Sequence, residues 1–138
     1  MHLYSKEIID RSRDNGGHGV LEEPTHQGTF KNPICGDRVH WTLDIQNGTI
    51  LQAKHNTKGC ALCRASASIL WEYMLHQQTD MVLQKVDQFC SSIEELVNGL
   101  ELKDESLVWL FRDIRYAPLR KECVCLPWLG LAQILKHE

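Results

Sequence analysis

From residue 37 to 46 the chain alternates without interruption. Val39, Trp41, Leu43 and Ile45 fall on one side, Arg38, His40, Thr42 and Asp44 on the other. A period of two marks a half-buried strand. Asn47-Gly48 follows at once. That dipeptide accepts the positive φ angles of a two-residue hairpin turn, so residues 49–56 are expected to return as a second strand. A third strand around 25–32 would complete a small antiparallel sheet, whose apolar face must then be covered.

The covering material comes later in the chain. Leu62, Ala65, Ile69 and Tyr73 recur at helical spacing in an Ala/Ser-rich run that reaches about residue 76. Further helices are expected at 80–90 (Val82, Val86, Phe89) and at 92–98, where Ser92 and Glu95 read as a capping box ahead of Asn98-Gly99. Leu107, Leu110, Phe111 and Ile114 predict another. A last helix should run from about 124, with Pro127 tolerated in its first turn and Trp128, Leu131 and Leu135 facing the core. A short helix within 3–12 should end at Asp14-Asn15-Gly16-Gly17-His18-Gly19. Strands first and helices afterwards predict an α+β fold, a three-stranded antiparallel sheet with helices packed on one face. At 138 residues, one domain spanning 1–138 can bury its own core.

Composition narrows the function. A net charge of −3 argues against a general nucleic-acid surface, although Arg112, Arg115, Arg120 and Lys121 make a local basic run near Cys123. No stretch approaches the length of a membrane span, and Met1-His2-Leu3-Tyr4-Ser5-Lys6-Glu7 is too polar for a signal peptide. A cytoplasmic location is therefore expected, where six cysteines read as thiols or metal ligands before disulfides.

Those thiols cluster at breaks in the chain: Asn32-Pro33-Ile34-Cys35-Gly36-Asp37, Gly59-Cys60-Ala61-Leu62-Cys63 and Cys123-Val124-Cys125-Leu126-Pro127-Trp128. Between Asp37 and Cys60 lie 22 residues, and between Cys60 and Cys123 lie 62, a spacing unlike the paired ligands of a zinc finger. Such a site has to be assembled by the fold. Cys35 and Asp37 flank a glycine that lets both point at one centre. Cys60 and Cys123 stand at predicted helix starts, where unpaired amides favour the thiolate. Three thiolates and a carboxylate make a tetrahedral set suited to zinc or iron–sulfur chemistry and unsuited to calcium or magnesium. With a divalent ion the set carries a charge of −2, so a nearby cation should help to hold it. Cys125 competes with Cys123 for the third thiol position. Cys60-x-x-Cys63 has the spacing of a metal or redox pair, but Cys63 reads first as a small residue packed in its helix, Cys90 as core, and His55, the histidine nearest the motifs, as a surface or core residue before a ligand.

The chain resembles the U-type iron–sulfur cluster assembly proteins, the IscU/SufU/NifU N-terminal family, over nearly its whole length from Leu3-Tyr4 to Leu131. Asn32-Pro33-x-Cys35-Gly36-Asp37 matches the family's first motif, and Gly59-Cys60 with Ala65-Ser66-Ala67-Ser68 its second. The third motif fits only if Cys123 is the matched ligand, which leaves Cys125 on an ordinary position. The resemblance thus implies the metal ligands Cys35, Asp37, Cys60 and Cys123. Extra residues within 79–115, Glu122 in place of a histidine before the third cysteine, and Pro118-x-Arg120-x-x-Cys123 resemble the SufU branch. Cys63, Cys125 and Lys58 depart from the usual pattern.

The resemblance implies a zinc-bound sulfur acceptor that takes persulfide sulfur from a pyridoxal-phosphate (PLP) cysteine desulfurase of the SufS/IscS type, with Cys35 as the freed, catalytic thiol. The alternative it implies is a scaffold on which a transient [2Fe–2S] cluster forms and passes to apo iron–sulfur proteins. A purely structural zinc site fits less well, because closed structural sites use Cys and His and not Asp. No nucleic acid or membrane partner is expected.

Overall fold

The computed structural model describes residues 3–100 and 107–137. Three strands, β1 (His26–Lys31), β2 (Arg38–Gln46) and β3 (Thr49–Lys58), form an antiparallel sheet in sequence order. Asn47 and Gly48 adopt φ of 52° and 74°, the turn expected of that dipeptide. Register then decides where the loops emerge. Lys31 pairs with Arg38, and Arg38 with Lys58. The 32–37 loop and the Gly59-Cys60 break therefore leave the sheet at the same end.

Val39, Trp41, Leu43 and Ile45 are buried on one sheet face, as the alternation requires. The opposite face is less open than the pattern suggests. Thr42 is fully buried there, and its hydroxyl accepts the Leu21 N–H at 3.0 Å. Residues 17–19 also run beside β3, exchanging backbone hydrogen bonds with His55.

Helices α2 (Ala61–Met74) and α4 (Lys121–Lys136) pack together, α2 against β3 and α4 against β1 and β2. Outside them lie α1 (Lys6–Ser12), on α2, and α3 (Thr79–Val97), on α4. Two tryptophans lock the layers with their polar edges satisfied, as buried indoles require. Trp41 Nε1 donates to the Pro127 carbonyl at 3.0 Å, joining β2 to α4. Trp128 Nε1 donates to Ser66 Oγ, whose hydroxyl donates to the Val124 carbonyl, joining α4 to α2.

Three helical expectations are corrected. The two segments form one helix, Thr79–Val97, so Ser92 and Glu95 lie inside α3 and cap nothing. Ile93 and Leu96 continue the buried stripe of Val82, Val86 and Phe89, and no breaker separates them. The segment carrying Leu110, Phe111 and Ile114 forms short 3-10 turns, Trp109–Phe111, Ile114–Tyr116 and Pro118–Arg120. Phe111 and Ile114 are still buried, so the apolar spacing reported a packed face without reporting the helix type. The last helix begins at Lys121, which places Pro127 in its interior. Residues 101–106 of the proposed insertion lie outside the described residues.

Candidate metal centre

Each functional side chain is set by local chemistry at the end of an element. After β1 the chain turns on Asn32, which is buried. Its side-chain oxygen accepts the Ile34 N–H, its carbonyl the Gly36 N–H, and its own N–H bonds the Asp37 carbonyl at 2.8 Å. Gly36 sits at φ 76° with open space around it, so backbone angle and not crowding requires glycine there. The turn leaves Cys35 exposed and Asp37 2% exposed.

Gly59 has a different reason. A methyl group on its α-carbon would run into the Asp37 carboxylate. Cys60 then stands as the N-cap of α2, and its side chain makes no capping bond. Its backbone N–H donates instead to Asp37 Oδ1 at 3.1 Å. Cys123 lies in the first turn of α4 and is 1% exposed. Because Pro127 has no N–H, the Cys123 carbonyl loses its usual partner four residues on.

These positions converge. One ligand atom from each of Cys35, Asp37 and Cys123 falls within a 4.8 Å group. Cys35 Sγ lies 3.0 Å from Asp37 Oδ2 and 3.5 Å from Cys123 Sγ. Cys60 lies outside that group, at its rim, with its sulfur 4.0 Å from Asp37 Oδ2. The donor set is three sulfurs and one carboxylate oxygen, which fits a soft or borderline ion such as zinc or iron.

The electrostatics favour exchange of protons for a cation. The hydrogen bond with Cys123 brings the Cys60 thiol down to about 6 against the opposing effect of burial, helped by the N–H groups of Cys63 and Leu62 at the start of α2. The same bond, together with burial, Asp37 and Cys35, pushes Cys123 upward. The two thiols are shifted in opposite directions by each other, and binding a dication there would release the proton they hold between them.

Of the basic run, Arg120 reaches the cluster: it lines one cleft with Cys35 and Cys123, and Cys123, then Tyr4, hold its guanidinium more firmly protonated. Arg112 instead pairs with Glu7 and covers Trp109, Arg115 covers Tyr116, and Lys121 pairs with Glu94. Tyr4 escaped sequence reasoning as a neighbour of the site, since nothing in its spacing ties it to residues 35–60. Burial raises its hydroxyl first, and the charges of Cys60, Cys123 and Asp37 add to that.

The remaining candidates stay outside. Cys63 is fully buried in α2, and burial pushes its thiol well up. His55 is 3% exposed against Trp41, its Nδ1 2.9 Å from Thr57 Oγ1. Burial, with His18 alongside, lowers it to about 4. Cys125 turns away from the cluster toward Cys90.

Residues 3–106 match the family described as the NifU-like N terminal domain. The chain belongs to that family, the U-type iron–sulfur cluster assembly proteins. It is 28% identical over 136 residues to the iron–sulfur cluster assembly scaffold protein IscU of Thermotoga maritima, covering 97% of this chain and 93% of that protein. It is 25% identical over 138 residues to the zinc-dependent sulfurtransferase SufU of Bacillus subtilis, covering 99% and 91%. Among solved structures, the assembly scaffold protein for the SUF system from Fervidobacterium islandicum superposes with a TM-score of 0.80 at 27% identity, covering 97% and 98%. The sheet-and-helix architecture is that of the family. No helix among the described residues is long and apolar enough to cross a membrane.

Proposed function

We propose that this iron–sulfur cluster biogenesis protein acts as a zinc-bound sulfur acceptor, one domain in which Cys35, Asp37, Cys60 and Cys123 hold the ion. The observation that carries the reading is an asymmetry of burial within one ligand set. Cys123 and Asp37 are nearly inaccessible, while Cys35 is exposed on a turn. Three ligands are thus held in place by elements or by the sheet end, and one is free to swing out. Zinc, when bound, keeps the thiolates ionised and permits one to be exchanged for an outside donor.

The partner that fits is a PLP-dependent cysteine desulfurase. Cys35 as a thiolate attacks the outer sulfur of the enzyme's persulfide. The S–S bond breaks, the enzyme's cysteine leaves as thiolate, and the transferred sulfur stays on Cys35. Arg120 offsets the negative charge of the set from its place on the same cleft as Cys35 and Cys123. Cys35, Ile34, Leu119, Arg120 and Cys123 line one cleft of about 440 Å³. Ile34 and Leu119 are 89% and 90% exposed there, an apolar rim beside the reactive thiol suited to docking. Apo iron–sulfur proteins or assembly factors would take the sulfur onward, in the cytoplasm.

A second reading, a scaffold carrying a transient [2Fe–2S] cluster as cargo, is supported by the likeness to the Thermotoga protein and by the same soft donors. Elemental analysis and the visible spectrum of protein made in iron-replete cells separate the two. The zinc reading expects about one zinc per chain and no visible absorption. Iron and sulfide in equal amounts, with a visible spectrum, would overturn it in favour of the scaffold.

A further inference from the structure

The remaining cysteines form a second constellation. Helices α3 and α4 pack antiparallel, and two contacts fix their register. Phe89 stacks on Trp128 with centroids 3.9 Å apart and planes 7° from parallel. Lys121 Nζ lies 2.9 Å from Glu94 Oε2. Glu94 is one turn beyond Cys90, and Lys121 is one turn before Cys125. The ring stack and the ion pair therefore bracket Cys90 and Cys125 and set them opposite each other across the seam between α3 and α4.

The two sulfurs differ in access. Cys125 is 8% exposed, whereas Cys90 is half-buried at the helix surface. Cys125 also leaves α4 on a different side from Cys123. Two residues along a helix is a rotation of roughly 200°. One sulfur meets the ligand set while the other meets α3.

We propose that Cys90 and Cys125 are a reversible redox pair, joined as a disulfide by a hydroperoxide and separate from the metal-holding thiols. Cys90, the accessible member, attacks the peroxide oxygen as thiolate. The O–O bond breaks, leaving a sulfenic acid on Cys90 and releasing water or an alcohol. Cys125 then attacks that sulfur. The S–S bond forms, hydroxide leaves, and it takes up the Cys125 proton as a second water. Two thiols are oxidised by two electrons, and the peroxide is reduced by two. The bridge ties the first turn of α4, which carries Cys123, to α3, and a dithiol reverses it.

The test treats the intact, metal-loaded protein with one equivalent of hydrogen peroxide, alkylates it under denaturing conditions and maps its peptides by mass spectrometry. The proposal expects the peptides holding Cys90 and Cys125 to be linked with loss of two hydrogens. Dithiothreitol should release them, Cys90→Ser should abolish the link, and the metal content of Cys90→Ser should equal that of the wild type. Because the wild-type map already reports the link, the result does not depend on any variant folding. Both thiols recovered as separate alkylated peptides while Cys35, Cys60 or Cys123 is oxidised would overturn it. So would Cys90 carried on to sulfinic acid without a bridge.

Discussion

The carboxylate of Asp37 does two things at once: Oδ1 accepts the backbone N–H of Cys60 at 3.1 Å, while Oδ2 faces the Cys35 sulfur at 3.0 Å. One residue thus ties the turn after β1 to the start of α2, and the backbone amide of Cys60 holds the carboxylate that faces the Cys35 sulfur. Negative charge at a helix start is favoured, which offsets part of the cost of burying a carboxylate among sulfurs.

That double role separates charge from hydrogen bonding. Asp37→Asn retains an acceptor for the Cys60 N–H and should unfold within about 1 kcal/mol of the wild type. Asp37→Ala, which loses both, should still fold. Both variants should bind zinc more weakly by at least about tenfold, the lower end for loss of even an outer-shell partner. Chelator competition and thermal melts check this. Wild-type affinity in both variants would remove Asp37 from the ligand set.

Gly59 and Gly36 should respond differently to alanine. In Gly59→Ala the new methyl group meets the Asp37 carboxylate, so metal occupancy should fall and stability should drop by about 1–3 kcal/mol. In Gly36→Ala nothing is struck, and the positive φ alone should cost about 1–2 kcal/mol with metal retained. Metal content and denaturant melts of the two variants report the contrast. Equal metal loss in both would refute the steric account.

His55 gives stability a pH dependence of known sign. Its folded-state value lies near 4, below the ordinary 6.5, with burial the main cause, His18 adding and Asp14 opposing. The unfolded chain therefore binds the extra proton first. The contribution of this ring is complete above about pH 6.5 and is lost as the pH falls toward 4, by up to about 3 kcal/mol. Metal-free wild type should lose stability across that window more steeply than metal-free His55→Gln. Parallel curves would contradict the assignment.

The sheet was legible because period-two alternation and Asn47-Gly48 act locally. The candidate site was legible because Cys35-Gly36-Asp37, Gly59-Cys60 and Cys123 each sit at a break in the chain, and the structure groups Cys35, Asp37 and Cys123 with Cys60 beside them. Other features depend on tertiary packing. The continuity of α3 through Ser92 follows from the buried stripe it lays on its neighbours, which overrides the capping signal. Turns of 3-10 type around Trp109–Arg120 bury Phe111 and Ile114 with the same spacing a helix would use. The juxtaposition of Cys90 and Cys125 needs the register of two helices, and the electrostatic reach of the site to Tyr4 needs the packing of the N-terminal segment. Neither is written in local spacing.

The central claim is that Cys35 receives the sulfur, and mass spectrometry of the protein after incubation with a cysteine desulfurase and cysteine tests it most directly. The account predicts a gain of one sulfur on the peptide containing Cys35, lost in Cys35→Ser and retained in Cys63→Ser. Sulfur appearing first on Cys60 or Cys123, with Cys35 unmodified, would contradict it.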